Sequence, residues 1–208
     1  MQTERRYVAS PSARIEVREE GDKKIITGYA AVFFREGAEG TEYNLFDDYF
    51  ERIGRTAFDR ALNEQHDVRG LFNHNSDMLL GRSKSSTLRL SIDETGLRYE
   101  IDIADTQAGR DVATSISRGD ITGSSFAFVP RKVTWQEDES RVIRTIDDLD
   151  LYDVGPVTYP AYEATSAAMR SAVDKQSVID EFRSRKQDAE TSARDVSGRL
   201  VKIRLDEM

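Results

Sequence analysis

The chain has 208 residues, 38% apolar and 33% charged, with 30 Lys and Arg against 38 Asp and Glu and a formal net charge of −8. It has no cysteine and only two histidines, His66 and His74, which excludes disulfides, thiolate metal sites, a cysteine nucleophile and a multi-histidine metal centre. The negative balance argues against a nucleic-acid surface, the short apolar runs against a membrane span, and the opening MQTERRYVAS lacks the apolar stretch of a secretory signal.

Residues 1–11 read as an N-terminal extension. Period-two alternation begins at Arg14-Ile-Glu-Val-Arg18, turns at Gly21-Asp22 and returns as an apolar strand over residues 24–34, interrupted by Gly28. Thr56 is placed to cap a first helix whose Phe58, Ala61 and Leu62 form a buried stripe. Val68, Gly70, Phe72 and His74 share one face of a short strand. Leu88, Leu90 and Ile92, a turn at Glu94-Thr-Gly96, then Leu97, Tyr99, Ile101 and Ile103 predict a hairpin. A second helix follows Thr106, buries Val112 and Ile116, and ends at Gly119. Residues 124–135 and 141–146 form a further pair of strands around Glu137-Asp-Glu-Ser140.

Of one Trp, eight Tyr and nine Phe, only Phe182 lies beyond residue 165. A segment without large apolar side chains cannot offset the entropy of ordering by burial. The domain is therefore expected over residues 12–165, with 166–208 a charged tail, helical over about residues 171–190 and ending in an alternating peptide at 200–205. About seven strands with two or three helices predict a mainly β, α+β fold, a barrel or strongly curved sheet with helices packed outside.

His74 lies in Leu71-Phe-Asn-His-Asn75, where a strand opens into a polar loop, a common place for catalytic side chains. An imidazole there can take and return a proton near neutral pH. His66, beside Asp67 after the first helix, reads instead as a helix-terminal cation. With no cysteine, the nucleophile would be a hydroxyl. In Thr122-Gly-Ser-Ser-Phe-Ala-Phe-Val129, period two puts Ser124 with Phe126 and Phe128, and Ser125 on the opposite face with Ala127 and Val129. If the rings point inward, Ser125 faces a surface where a hydroxyl has no structural task. Asp153, flanked by Leu151, Tyr152 and Val154, is a partly desolvated carboxylate in need of a partner. Asp111 is the competing acid, with a first-turn helical role equally open.

Taken in order, Gly28-Tyr-Ala-Ala-Val-Phe33, Asn73-His74 with Leu80-Gly-Arg82, Gly96-Leu97, Thr106 with Gly109-Arg-Asp111, Gly123-Ser-Ser-Phe-Ala-Phe128 and Asp153-Val-Gly-Pro-Val-Thr-Tyr-Pro-Ala-Tyr162 resemble the prohead (capsid maturation) serine proteases of tailed bacteriophages, the Hong Kong 97 type. The resemblance runs from about Ile25 to Thr165. It implies a fold similar to the herpesvirus assemblins, a closed, mostly antiparallel β-barrel ringed by helices. Carried over by position, His74 matches the catalytic histidine, Ser125 the nucleophile and Asp153 the acidic position, while Gly155 stands where the family often has serine and Ser124 where a bulkier residue is common. The resemblance further implies a serine endopeptidase that needs no cofactor. It would act within the assembling prohead in the host cytoplasm, cut scaffold or the scaffolding segment of the major capsid protein, and cut itself. It also suggests homodimer association and a tail that anchors or is cleaved off; charge and apolar run length leave neither nucleic acid nor membrane as the expected partner. A non-catalytic capsid-assembly protein is the alternative, and an oligonucleotide-binding barrel a third reading that the net charge disfavours.

Overall fold

The computed structural model describes residues 3–8, 14–21, 23–138, 140–159, 174–188 and 191. They fall into two compact units, one within residues 1–172 and one within 173–208. In the second, residues 175–188 are helical, with the Asp174 carboxylate accepting from the backbone N–H groups of Gln176 and Ser177 at the helix start. The peptide at 200–205 lies outside the described residues. No helix among the described residues is long and apolar enough to cross a membrane.

The first unit is built on β1 (Glu4–Val8), β2 (Glu16–Glu20), β3 (Lys23–Val32), β4 (Glu42–Phe46), β5 (Tyr49–Ile53), β6 (Arg69–Leu71), β7 (Leu79–Arg82), β8 (Leu88–Ile92), β9 (Gly96–Asp102), β10 (Gly123–Asp138) and β11 (Arg141–Val157), with helices α1 (Asp59–Asn63) and α2 (Gln107–Arg118). One sheet has seven strands in the order β1-β10-β11-β5-β4, with β6 joined to β11 and β7 to β6; the other has four, β2-β3-β9-β8. The fold is mainly β with helices, as expected, but the expected closed barrel is not seen: among the described residues the ladders form two open sheets. Alternation reports which face of a strand is apolar, and says nothing of whether the last strand pairs with the first.

Several elements follow directly from local chemistry. The Thr106 hydroxyl accepts from the Gly109 N–H at 3.1 Å, and Gly119 ends α2 in the left-handed conformation at φ 83°. The first helix differs from expectation. It starts at Asp59 without a side-chain cap, because the Thr56 hydroxyl donates instead to the Asp147 carbonyl. The hairpin of β4 and β5, antiparallel from Glu42 opposite Arg52, is not expected from sequence, and neither is β1.

β10 and β11 form the long antiparallel hairpin at the centre, from Gly123 opposite Val157 to Asp138 opposite Arg141. The ladder is irregular around Pro130, which has no N–H to give it. β11 changes partner along its length: residues 142–146 run parallel to β5, and Asp153 and Val154 parallel to β6. Phe126 and Phe128 point into the core, stacked at 4.9 Å, and Phe126 meets Phe58 edge-on at 5.7 Å. Burying each ring contributes about 1.5–3 kcal/mol. On the same face the Ser124 and Tyr99 hydroxyls are hydrogen-bonded at 2.8 Å in full burial. Such a bond adds only about 1 kcal/mol net, so the rings set the orientation of β10 and Ser124 satisfies the phenol.

Four charged side chains meet beneath β1. The buried Glu51 carboxylate on β5 accepts from Arg6 Nε at 2.5 Å and Nη2 at 2.9 Å, and from Arg144 Nη1 of β11 at 2.7 Å. Glu4 also pairs with both arginines. Two acids and two bases balance, which is what burial of charge requires. Burial alone would push the Glu4 carboxyl up, but Arg6 and Arg144 outweigh that and hold it below its ordinary value of 4.5. The folded chain therefore binds this proton less readily than the unfolded one. Its contribution to stability is present above the ordinary value and lost as pH falls through the lowered one.

Replacing Glu51 by Gln leaves two buried arginines facing the Glu4 carboxylate alone and is expected to cost about 3–5 kcal/mol in urea unfolding. Stability of the native chain is expected to fall on acidification below pH 4.5, and Glu4→Gln, measured by the same titration, is expected to flatten that fall.

Candidate active site

The face of β10 opposite the phenylalanines carries Ser125, fully buried. Its cross-strand partner on β11 is Gly155, and Asp153 lies opposite Ala127. β6 lies on the other side of β11, with Arg69 opposite Asp153 and Gly70 opposite Val154. The turn that leaves β6 therefore emerges beside Gly155 and Pro156, just past Asp153, and it carries His74.

Asn73 and His74 are both left-handed, with φ 54° and 56°. Asparagine and histidine enter this region more readily than most residues, yet left-handed backbone still costs each about 1–3 kcal/mol. The strain is held by contacts to the end of β11. The Asn73 N–H donates to the Pro156 carbonyl at 3.0 Å and its Nδ2 to the Thr158 hydroxyl at 3.0 Å, while the Thr158 N–H donates to Asn73 Oδ1 at 2.9 Å. Asn73 is thus a positioning residue, legible in sequence only as an asparagine in a loop that needs left-handed backbone.

Gly155 has the second positioning role. A Cβ built there would lie 2.1 Å from the Leu71 carbonyl oxygen. Only glycine lets the end of β6 come this close to β11, and the Leu71 carbonyl is three residues before His74.

Across this junction the Asp153 Oδ1 is 2.5 Å from His74 Nδ1, and His74 Nε2 is 2.5 Å from the Ser125 Oγ. The carboxylate can only accept, so Nδ1 carries the hydrogen and Nε2 is left to accept from the hydroxyl. The His74 side chain is 4% exposed and that of Asp153 13%. Desolvation at this level makes each contact stronger than it would be in water. The arrangement can move a proton from a hydroxyl to an imidazole and back.

The other candidates lie elsewhere. Asp111 is exposed on α2 and accepts from Gln107 Nε2 at 2.6 Å. Ser124 faces the core. The His66 ring lies among Glu64, Arg60 and the Leu151 N–H. Beside His74 a cleft of about 200 Å³ is lined by Arg5, Tyr7, Asn73, His74, Val157 and Tyr159. Tyr7 meets the imidazole edge-on at 6.2 Å, and the Ser125 hydroxyl also has the Arg6 carbonyl 2.9 Å away, as an acceptor. Both contacts come from β1, which pairs with β10 across the serine.

The family model described as Caudovirus prohead serine protease matches residues 13–178. Among solved structures, the fold is similar to that of the bacteriophage T4 capsid assembly protease, gp21, with a TM-score of 0.50 and 13% identity over 76% of this chain and 98% of that one. No curated protein matches the chain in sequence.

Gly155→Ala forces the Leu71 carbonyl away and shifts His74. It is expected to lower the melting temperature and to slow hydrolysis of an activated ester at Ser125 by about 10²-fold, the cost of a misplacement near 1 Å. An unchanged rate would show that the turn moves without consequence.

Proposed function

This chain belongs to the Caudovirus prohead serine protease family, and from that premise we propose that it is the endopeptidase of capsid maturation, with Ser125 as nucleophile, His74 as general base and Asp153 as orienting acid. The observation that carries the reading is the continuous contact from Asp153 to His74 to Ser125, 2.5 Å at each step, between side chains from three separate segments. Ser125 attacks the scissile carbonyl and gives its proton to His74 Nε2, and the acyl-enzyme forms. His74 then returns the proton to the leaving amine. Asp153 keeps the ring in the tautomer that accepts at Nε2 and stabilises the imidazolium formed in between. Water, deprotonated by the same nitrogen, releases the acyl group.

The substrate in this reading is the scaffold, or the scaffolding segment of the major capsid protein, inside the assembling prohead in the host cytoplasm. The domain is residues 12–165 with 1–11 as an extension, and the tail of 166–208 anchors the enzyme or is removed by self-cleavage. A purely structural assembly role would leave the contact between imidazole and hydroxyl without purpose.

Ser125→Ala is expected to abolish processing of a co-expressed capsid or scaffold substrate while leaving the circular dichroism spectrum unchanged. Asp153→Asn is expected to lower kcat by about 10⁴-fold, since the ring then adopts the wrong tautomer. Full processing by Ser125→Ala would refute the nucleophile assignment.

A further inference from the structure

β1 lies at the edge of its sheet, paired with β10 alone, and it precedes the segment matched to the family, residues 13–178. Its antiparallel register runs from Glu4 opposite Phe128 to Val8 opposite Ser124, with Tyr7 directly opposite Ser125. The result is a nucleophile with no exposure to solvent. While β1 is in place, an external carbonyl cannot reach it. The Ser125 hydroxyl also has two acceptors within reach and one proton: given to the Arg6 carbonyl at 2.9 Å, that proton is not available to His74 Nε2.

We propose that the edge of β10 beside Ser125 is where a substrate chain pairs, and that residues 4–8 occupy that edge as an internal stand-in that must leave before cleavage. The ligand class is an extended peptide, antiparallel to β10, held by main-chain hydrogen bonds that an unpaired strand edge offers to any sequence. The proposal rests on the reading of Ser125 as the nucleophile and adds where its substrate lies and what blocks it.

The way β1 is attached supports its departure. Its two charged anchors, Glu4 and Arg6, are one acid and one base, both inserted against Glu51 and Arg144. Withdrawing them together leaves Glu51 and Arg144 paired at 2.7 Å, so no buried charge is stranded. The apolar anchor, Val8, packs with Val32 and Tyr29 in a cluster separate from the main core. Releasing the strand therefore removes no apolar side chain from the main core and leaves Phe58, Phe126 and Phe128 packed on one another, with only the Arg6 guanidinium withdrawn from over the Phe128 ring.

The full chain has no cysteine, so a single engineered pair gives a clean reversible lock. Arg5 and Ala127 are directly opposite, and opposed residues of an antiparallel ladder lie within disulfide reach. In Arg5→Cys/Ala127→Cys, a fluorophosphonate probe is expected to label Ser125 about tenfold or more faster in the reduced than in the oxidised form. In a second full-length variant, Glu4→Gln/Arg6→Gln, labelling is expected to exceed that of the native chain by a similar factor, and the synthetic peptide MQTERRYVAS is expected to suppress it. Equal labelling of oxidised and reduced forms overturns the proposal while leaving Ser125 an activated serine. No labelling of any form, reduced or freed, overturns the nucleophile reading and this proposal with it. Should the double variant fail to fold by circular dichroism, the lock decides alone.

Discussion

The close approach of the Leu71 carbonyl to Gly155, where a Cβ would be 2.1 Å away, is the constraint on which the site depends. β11 is the common neighbour of β10 and β6. It holds Asp153 opposite Ala127 on one side and Arg69 on the other. With β6 drawn in at Gly155, the turn after it reaches back over β11 and delivers His74 between Asp153 and Ser125. One absent side chain thus brings an imidazole and a hydroxyl 51 positions apart in sequence to 2.5 Å.

Two buried polar assemblies share the sheet and obey the same rule of compensation. In the site, an acid, an imidazole and a hydroxyl are linked in series, each donor matched to an acceptor. Beneath β1, two acids and two arginines close on one another. The first is strained, with left-handed backbone at both Asn73 and His74, and strain of this kind persists where surrounding contacts over-determine it. Here those contacts are the bonds from Asn73 to Pro156 and Thr158. The second assembly ties the N-terminal strand to β5 and β11, and that strand lies over the serine. The three residues of the first assembly lie within the segment matched to the prohead protease family, residues 13–178, whereas Glu4 and Arg6 precede it.

The legible part of the fold is local. Alternation exposed the hairpin of β8 and β9 and separated the phenylalanine face of β10 from the face that carries Ser125, because successive side chains of a strand point to opposite sides. Thr106 and Gly119 marked α2 because capping chemistry acts within a turn of its residue. Thr56 misled, since its hydroxyl is taken by the Asp147 carbonyl, 91 positions away. β1 was silent: Glu4-Arg-Arg-Tyr-Val8 looks polar until Arg6 and Glu4 find buried partners on β5 and β11.

By itself the sequence determined the stock of chemistry: no thiol, two imidazoles, one serine on the face of an apolar strand opposite its two phenylalanines and a carboxylate among apolar neighbours. It also determined that the chain is mainly β. Tertiary structure decided that the strands of the described residues form two sheets, that Ser124 satisfies Tyr99 while Ser125 meets His74, and that Asp111 remains on its helix. The physical reason is range. Periodicity and capping act over a few residues, whereas register between strands, the fit of β6 against Gly155 and the pairing of buried charges depend on groups that come together only once the chain has folded.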